Sequence, residues 1–243
     1  MEKKKIKKYI LIDLIIVLFL GLVYIIWYLN DYYRADEEVK DFLKSSNTVV
    51  VNKEDETYFF DGYGEENAIV FYQGGKVENI SYAPLLYKLA ESGIDCFLVK
   101  MPFNLAILDK NKASSVIYDE KYNYNNWYLM GHSLGGVVAS MYSNSHDDKV
   151  SGLILLAAYP TSKVKESIKM LSIYGSNDGV LNLNKYNANK KYWNNQTIEH
   201  VIPGGNHANF GYYGKQSGDN DSTITREQQQ EETINEILNF INN

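Results

Sequence analysis

Short apolar segments alternate with helical patterns along most of the 243-residue chain. Several segments, such as AIVFY and LILLAA, are continuously apolar, as strands covered on both faces are. Strands are predicted at residues 49–52, 58–60, 68–72, 96–101, 127–130, 153–157, 170–174 and 199–202. Apolar residues at helical spacing predict helices at 82–92, 133–145 and 226–241. This alternation predicts an α/β domain whose mostly parallel sheet carries helices on both faces.

The amino-terminal part of the chain has a different pattern. Residues 9–29 form an apolar run of 21 residues in which Asp13 is the one charge. At about 1.5 Å per residue, a helix of this length crosses the hydrocarbon core of a bilayer. The run has no polar face, and no small-x-small cleavage site follows it. An uncleaved membrane anchor is therefore favoured over a cleaved signal peptide.

Charges on either side of the apolar run predict its orientation. Five lysines lie within residues 1–8, and an acidic run at 36–38 follows the span. The excess of positive charge places the amino terminus in the cytoplasm and the folded domain on the outer side of the cell membrane. The predicted organisation is a basic terminus (1–8), a transmembrane anchor (9–29), a juxtamembrane linker or short helix (30–47) and a folded domain (48–243).

Composition removes several classes of function. The net charge is −6, and nearly all of the acidic residues follow the apolar run, so the domain lacks the basic face that nucleic-acid binding needs. Cys96 is the one cysteine, which excludes an internal disulfide and a cysteine-based metal site. No H-E-x-x-H spacing occurs, and the sequence predicts neither a metal nor an organic cofactor.

A candidate nucleophile lies between the predicted strand 127–130 and the helix that follows it. The sequence there is Gly131-His132-Ser133-Leu134-Gly135, which has the spacing G-x-S-x-G. A tight turn at this place projects the serine hydroxyl from the edge of the sheet, and the glycines let strand and helix approach closely. The start of the helix supplies backbone N–H groups beside the serine. A glycine-rich turn without chemistry is the alternative.

A serine nucleophile needs a base, and four histidines are candidates. His132 is the neighbour of the serine, so its side chain points elsewhere. His146 lies at a helix end and is expected to be solvated, and His200 lies within a strand and is expected to be packed. His207 follows the last predicted strand on a loop, where a base belongs, and is therefore the predicted base.

The orienting acid is predicted at Asp178, just past the strand 170–174. The alternative is an ordinary turn aspartate, since N-D-G is also good turn chemistry. The chain order is then Ser, Asp, His. The remaining candidate acids lie in polar stretches that are expected to be exposed: Asp147, Asp148, Asp219 and Asp221.

An oxyanion hole needs two backbone donors beside the serine. The N–H of Leu134 is the first. The second is expected in the loop Gln73-Gly74-Gly75-Lys76 after the strand 68–72, with the Gly75 N–H preferred and the Lys76 N–H as the alternative.

With these motifs the sequence resembles the alpha/beta hydrolase superfamily, and most closely a bacterial branch of small, uncapped, often membrane-anchored members. The resemblance rests on YQGGKVE, VKMPFNLAIL, GHSLGG, YGSNDG and GGNHANFGYYGKQSGD, in that order. It implies an eight-stranded sheet, a triad of Ser133, Asp178 and His207, and hydrolysis of an ester or related acyl bond in a small molecule. Gln73 departs from the pattern, since many esterases of the superfamily have histidine there.

The predicted function is that of a membrane-anchored serine hydrolase without a cofactor. Two alternatives stay open: an acyltransferase that uses the same triad, and an inactive binding module on a hydrolase scaffold. Protein partners cannot be inferred from the sequence. The short connection after the strand 153–157 leaves no room for a helical lid. An open cleft edged by Phe103, Phe210 and Tyr212 is therefore expected.

Overall fold

The computed structural model describes residues 2–243, which form two compact units that meet in the chain between Tyr32 and Tyr33. The first unit is dominated by helix α1, Glu2–Asn30. Within it, Lys5–Asn30 is long and apolar enough to cross a membrane, and it is not buried by other parts of the chain. The structure thus contains a candidate span where the sequence predicts one.

The second unit, Tyr33–Asn243, is built on one sheet of eight strands. The order of the strands across the sheet is β1-β2-β4-β3-β5-β6-β7-β8. The pairs β1–β2 and β2–β4 are antiparallel and the other five pairs are parallel. The strands are β1 (Val50–Glu54), β2 (Thr57–Asp61), β3 (Asn67–Tyr72), β4 (Asp95–Leu98), β5 (Asn126–His132), β6 (Val150–Leu156), β7 (Lys169–Gly175) and β8 (Thr197–Ile202). The predicted fold class and all eight predicted strands are confirmed.

Helices cover both faces of the sheet. They are α2 (Ala83–Glu91), α3 (Ser114–Ile117), α4 (Leu134–Ser145), α5 (Leu183–Asn189) and α6 (Arg226–Asn242). Short 3₁₀ helices lie at Glu37–Leu43, Asn79–Tyr82, Pro102–Asn104, Ala106–Asp109, Lys190–Tyr192 and Ala208–Phe210. The buried side chains of α2 and α6 belong to the core on one face, and those of α3 and α4 belong to the core on the other.

The apolar sequence of β3 explains why both faces of the sheet are buried. Ile69 and Phe71 belong to the core under α2 and α6, whereas Ala68, Val70 and Tyr72 belong to the core under α4. Successive side chains of a strand point to opposite faces, so a continuously apolar strand feeds two cores. Central strands of this kind fix the carboxyl edge of the sheet, where β3, β5, β7 and β8 all end.

Residues that follow the candidate span are part of the second unit. The sequence predicts a linker or short helix over 30–47, and the compact unit begins at Tyr33. The 3₁₀ helix Glu37–Leu43 places Val39 in the core with no exposed surface, and the ring of Phe42 packs on Tyr87. We call residues 33–43 the juxtamembrane segment. It belongs to the same compact unit as the sheet.

Candidate active site

Ser133 occupies a strained turn between β5 and α4. Its backbone has φ 53° and ψ −123°, in a region that residues with a side chain seldom adopt, at a cost of about 1–3 kcal/mol. The turn brings α4 close to the sheet, and glycines make this close approach possible. A Cβ atom on Gly135 would lie 2.2 Å from the Tyr72 carbonyl oxygen, and one on Gly131 would lie 2.6 Å from the Gly135 carbonyl. The local geometry is that of a nucleophile turn.

Asp178 and His207 form a buried pair on two neighbouring loops. Nδ1 of His207 lies 2.8 Å from Oδ2 of Asp178, and both side chains are about 1% exposed. The other carboxylate oxygen of Asp178 accepts hydrogen bonds from the N–H groups of Val180 and Leu181, at 2.8 and 2.7 Å. Because Nδ1 donates to the carboxylate, the imidazole presents its other nitrogen, Nε2, as an acceptor.

Nε2 of His207 is buried and has no hydrogen-bond partner among residues 2–243. The hydroxyl of Ser133 therefore does not bond to it in this conformation. Ser133 and His207 nevertheless line one cavity of about 240 Å³, together with the apolar side chains of Val137, Ala157 and Leu181. Catalytic hydrogen bonds are often long before substrate binds. The structure thus brings together all three residues that the sequence assigns to the triad.

Two backbone N–H groups from different elements are the candidate oxyanion donors. The N–H of Leu134 lies at the first position of α4, where no intrahelical acceptor is available. Gly75 lies against Leu134, because a Cβ atom on Gly75 would be 3.0 Å from Leu134 Cδ2. Among the described residues, no hydrogen bond uses the Gly75 N–H. The N–H of Lys76 instead donates to the Asn104 carbonyl at 2.8 Å, which removes it as the alternative donor.

The loop at residues 73–78, which we call the oxyanion loop, is held by the side chain of Gln73. Gln73 is fully buried, and its Nε2 donates to the Val77 carbonyl and to Oδ1 of Asn104, both at 2.8 Å. Its Oε1 accepts from the Met101 N–H at 3.1 Å. The side chain therefore joins the oxyanion loop to the loop after β4. The sequence marked Gln73 only as a departure from a family pattern and did not predict this role.

The same loop is joined to the nucleophile turn through Tyr82 and His132. The Tyr82 hydroxyl accepts from the Gly74 N–H at 3.2 Å and lies 2.8 Å from Nδ1 of His132. Burial, with a smaller contribution from His207, lowers the pKa of His132 well below its usual value, so His132 stays neutral. Its ring centroid lies 4.4 Å from that of His207. His132 thus packs beside the base and does not replace it.

The other two histidines lie away from this cavity. His146 stacks on the ring of Tyr142 at 4.0 Å and bonds to the Tyr142 carbonyl. His200 was expected to be packed, but it is half-buried, and its Nε2 lies 2.7 Å from a Glu232 oxygen. Strand β8 is the last strand of the sheet order, so its side chains are only partly covered.

Asp219 was expected to be exposed, and this expectation is wrong. The residue is 8% exposed, and its carboxylate accepts from four backbone N–H groups. Oδ1 accepts from Gly179 at 3.0 Å, from His207 at 3.3 Å and from Asn220 at 3.0 Å, and Oδ2 accepts from Ala208 at 2.9 Å. One carboxylate thus fastens the loop of the predicted acid to the loop of the predicted base.

The prediction that Phe103, Phe210 and Tyr212 edge an open cleft is also partly wrong. Phe210 has no exposed surface and Tyr212 is 4% exposed, because both belong to the core under α2 and α6. Phe103 is 59% exposed on the loop after β4. Over residues 2–243 no group of three or more metal-ligating side chains could hold a metal ion.

The fold is that of an α/β hydrolase. Residues 68–231 match the model of the Alpha/beta hydrolase family, and this is more than half of the chain. The chain therefore belongs to the alpha/beta hydrolase family, and this membership supports a hydrolase. No curated protein matches the sequence significantly.

Solved structures with the same fold are distant in sequence. A predicted CIB-like hydrolase from Thermoplasma acidophilum is 17% identical, with a TM-score of 0.55 over 79% of this chain and 99% of that chain. Est1E from Butyrivibrio proteoclasticus is 15% identical, with a TM-score of 0.55 over 81% and 100%. The alpha/beta hydrolase GrgF from Penicillium sp. sh18 is 10% identical, with a TM-score of 0.59 over 79% and 96%. At these identities the similarity establishes the fold alone.

Proposed function

We propose that the chain is a membrane-anchored serine hydrolase that cleaves an ester or related acyl bond. The observation that carries the proposal is the buried pair of Asp178 and His207, with a 2.8 Å hydrogen bond, beside a cavity that Ser133 also lines. A buried carboxylate on Nδ1 fixes the imidazole so that Nε2 can act as a base. The strained backbone of Ser133 is a second support, because strain of this kind concentrates at functional sites.

In the proposed reaction Ser133 Oγ attacks the carbonyl carbon of the substrate while its proton passes to Nε2 of His207. The electron pair of the carbonyl bond moves to oxygen, which is stabilised by the N–H groups of Leu134 and Gly75. The intermediate collapses, and the leaving alcohol takes the proton from His207. Water then attacks the acyl-enzyme by the same route and releases the acid.

The chain's own residues account for every proton in this sequence of steps. Asp178 keeps both oxygens occupied by N–H donors, so it holds the imidazole in place and stabilises the imidazolium without taking the proton. His132 lies against His207 but stays neutral, and therefore adds no competing positive charge. The acyltransferase alternative uses the same acyl-enzyme, with an alcohol or amine in place of water.

A fluorophosphonate probe, which reacts with an activated serine, tests the proposal on the full-length chain in detergent. Wild-type protein should be labelled at Ser133 and should hydrolyse p-nitrophenyl acetate. Ser133→Ala should abolish labelling and lower turnover by several orders of magnitude, up to about 10⁶. Ser145→Ala, which changes an exposed serine on the same helix α4, is the matched control and should behave as wild type. A folded wild-type protein that is neither labelled nor active would be an inactive scaffold, and the proposal would be wrong.

A further inference from the structure

The juxtamembrane segment contacts the oxyanion loop through its backbone. Tyr33 forms an isolated parallel bridge with Val77. The Tyr33 N–H donates to the Lys76 carbonyl, and the Tyr33 carbonyl accepts from the Glu78 N–H, both at 2.8 Å. Two residues further on, the Ala35 N–H donates to Oε2 of Glu78 at 2.9 Å. The segment thus lies along the oxyanion loop as a short extra strand.

Lys76 is the residue of the oxyanion loop that needs such support. Its backbone has φ 58°, in the left-handed region, which costs a residue with a side chain about 1–2 kcal/mol. Its N–H donates to the Asn104 carbonyl and its carbonyl accepts from the Tyr33 N–H, both at 2.8 Å. The two hydrogen bonds fix the plane and direction of the chain directly after Gly75. The Gly75 N–H shares a peptide plane with the Gly74 carbonyl, which accepts from the Val77 N–H at 3.2 Å. The Tyr33 bridge holds Lys76 and Val77, the two residues that follow Gly75 in this turn.

The other side of the segment is fastened to the carboxyl-terminal part of the chain. The Tyr33 hydroxyl accepts from the Ser217 N–H at 2.9 Å, and the Asp36 N–H donates to the Tyr212 carbonyl at 2.9 Å. Arg226 bonds to the Asp36 carboxylate at 2.7 Å, and its guanidinium lies 4.3 Å from the centre of the Tyr212 ring. The segment therefore forms hydrogen bonds with the carboxyl-terminal part of the chain on one side and with the oxyanion loop on the other.

We infer that the juxtamembrane segment is a positioning element of the oxyanion hole, with the Tyr33 backbone as its contact. This inference rests on the proposed function, because it concerns the stabilisation of the same oxyanion. Tyr33 touches no reacting atom and acts through Lys76 and Gly75. A chain that begins at residue 48 would lack one of the two hydrogen bonds that support Lys76.

Tyr33→Pro is the direct test, made in the full-length chain in detergent. Proline suits extended backbone but has no N–H, so the bond to the Lys76 carbonyl is lost. Loss of one oxyanion donor costs about 10²–10³ in kcat in a comparable site, and a misplaced donor should cost roughly 10–100-fold. KM should change little, because the donor acts on the transition state.

Three further measurements separate positioning from general damage. Tyr33→Phe keeps both backbone bonds and removes only the bond to Ser217, so it should retain near-wild-type turnover. Affinity for a trifluoromethyl ketone, which forms a tetrahedral oxyanion on Ser133, should fall in parallel with kcat in Tyr33→Pro. The melting temperature reports whether Tyr33→Pro still folds. If it does not, Glu78→Ala, which removes the acceptor of the Ala35 N–H, should lower kcat severalfold in a folded protein.

The outcomes distinguish this inference from the proposed function. A wild-type protein without labelling or turnover refutes the proposed function itself. If the wild type is active and Tyr33→Pro is equally active, the positioning role is refuted and the proposed function stands. The same holds if Tyr33→Pro is slower but binds the ketone as tightly as the wild type does. Equal losses in Tyr33→Phe and Tyr33→Pro also refute it, because the backbone bridge would then not be the cause.

Discussion

Asp219→Asn should weaken both the fold and the catalytic pair. The substitution keeps the shape of the side chain, but it replaces a charged acceptor by an amide with one oxygen and one NH₂ group. Four backbone N–H groups converge on the carboxylate, from Gly179, His207, Ala208 and Asn220. In either orientation of the amide, at least one buried N–H must face an NH₂ donor.

The size of the effect follows from those contacts. A hydrogen bond to a charged group contributes about 1.5–3 kcal/mol, and a buried donor without a partner costs about 1–3 kcal/mol. Loss of one bond, with weakening of the others, should lower the free energy of unfolding by about 2–4 kcal/mol. For a domain of this size that corresponds to a fall of roughly 5–15 °C in melting temperature. Turnover should fall further, because a misplacement of about 1 Å in a catalytic group can cost 10²-fold.

Thermal melting and p-nitrophenyl acetate hydrolysis of the full-length chain measure the two effects. Asp221→Asn is the matched control, two residues away in the same segment. The Asp221 carboxylate is 86% exposed and pairs with exposed Lys215, so loss of its charge should change stability by less than about 0.5 kcal/mol. Wild-type melting and turnover in Asp219→Asn would refute the reasoning, and so would equal effects in the two variants.

Two further predictions concern the substrate and the orientation in the membrane. A cavity of about 240 Å³ beside Ser133 can hold a short acyl group, since about 150 Å³ holds one benzene. A chain-length series of p-nitrophenyl esters should therefore favour short chains. Burial contributes about 0.8 kcal/mol per CH₂ group, so an optimum at about twelve carbons or more would mean that a long chain is buried and would contradict the cavity argument. The five lysines within residues 1–8 predict an outward-facing hydrolase domain, so protease added to intact, wall-stripped cells should digest the domain, and full protection would reverse the predicted orientation.

Most of the fold could be predicted from local sequence patterns. Strands β3 and β6 contain continuously apolar runs, and the glycines around Ser133 leave few alternatives to a tight turn, so the strands and a candidate nucleophile could both be predicted. His207 was predicted as the base by elimination among four histidines and by its position on the loop after a strand, and Asp178 was predicted as the acid by its place after β7. These predictions needed only the local sequence around each residue, together with the rule that parallel strands end at one edge.

What the sequence did not predict depends on contacts between distant residues. Tyr33 and Ser217 are 184 positions apart, and Arg226 and Asp36 are 190 apart. Residues 33–43 are polar enough to resemble a linker, and Asp219 lies among polar residues that resemble an exposed turn. Asp219 is held by backbone N–H groups from distant loops, and residues 33–43 pack on distant core residues through Val39 and Phe42. Only the folded chain brings these groups together, and no local pattern marks them.

These distant contacts join loops that carry different parts of the predicted chemistry. Asp219 fastens the acid loop to the base loop, the side chain of Gln73 fastens the oxyanion loop to the loop after β4, and Tyr82 fastens the oxyanion loop to His132 in the nucleophile turn. Each loop leaves a rigid strand, but nothing in the sheet itself fixes the distance between one loop tip and the next. Transition-state stabilisation depends on those distances, because the donors must already face the place where charge develops. Residues outside the predicted triad therefore hold its loops together, and the Tyr33 backbone joins the residues directly after the candidate span to one of these loops.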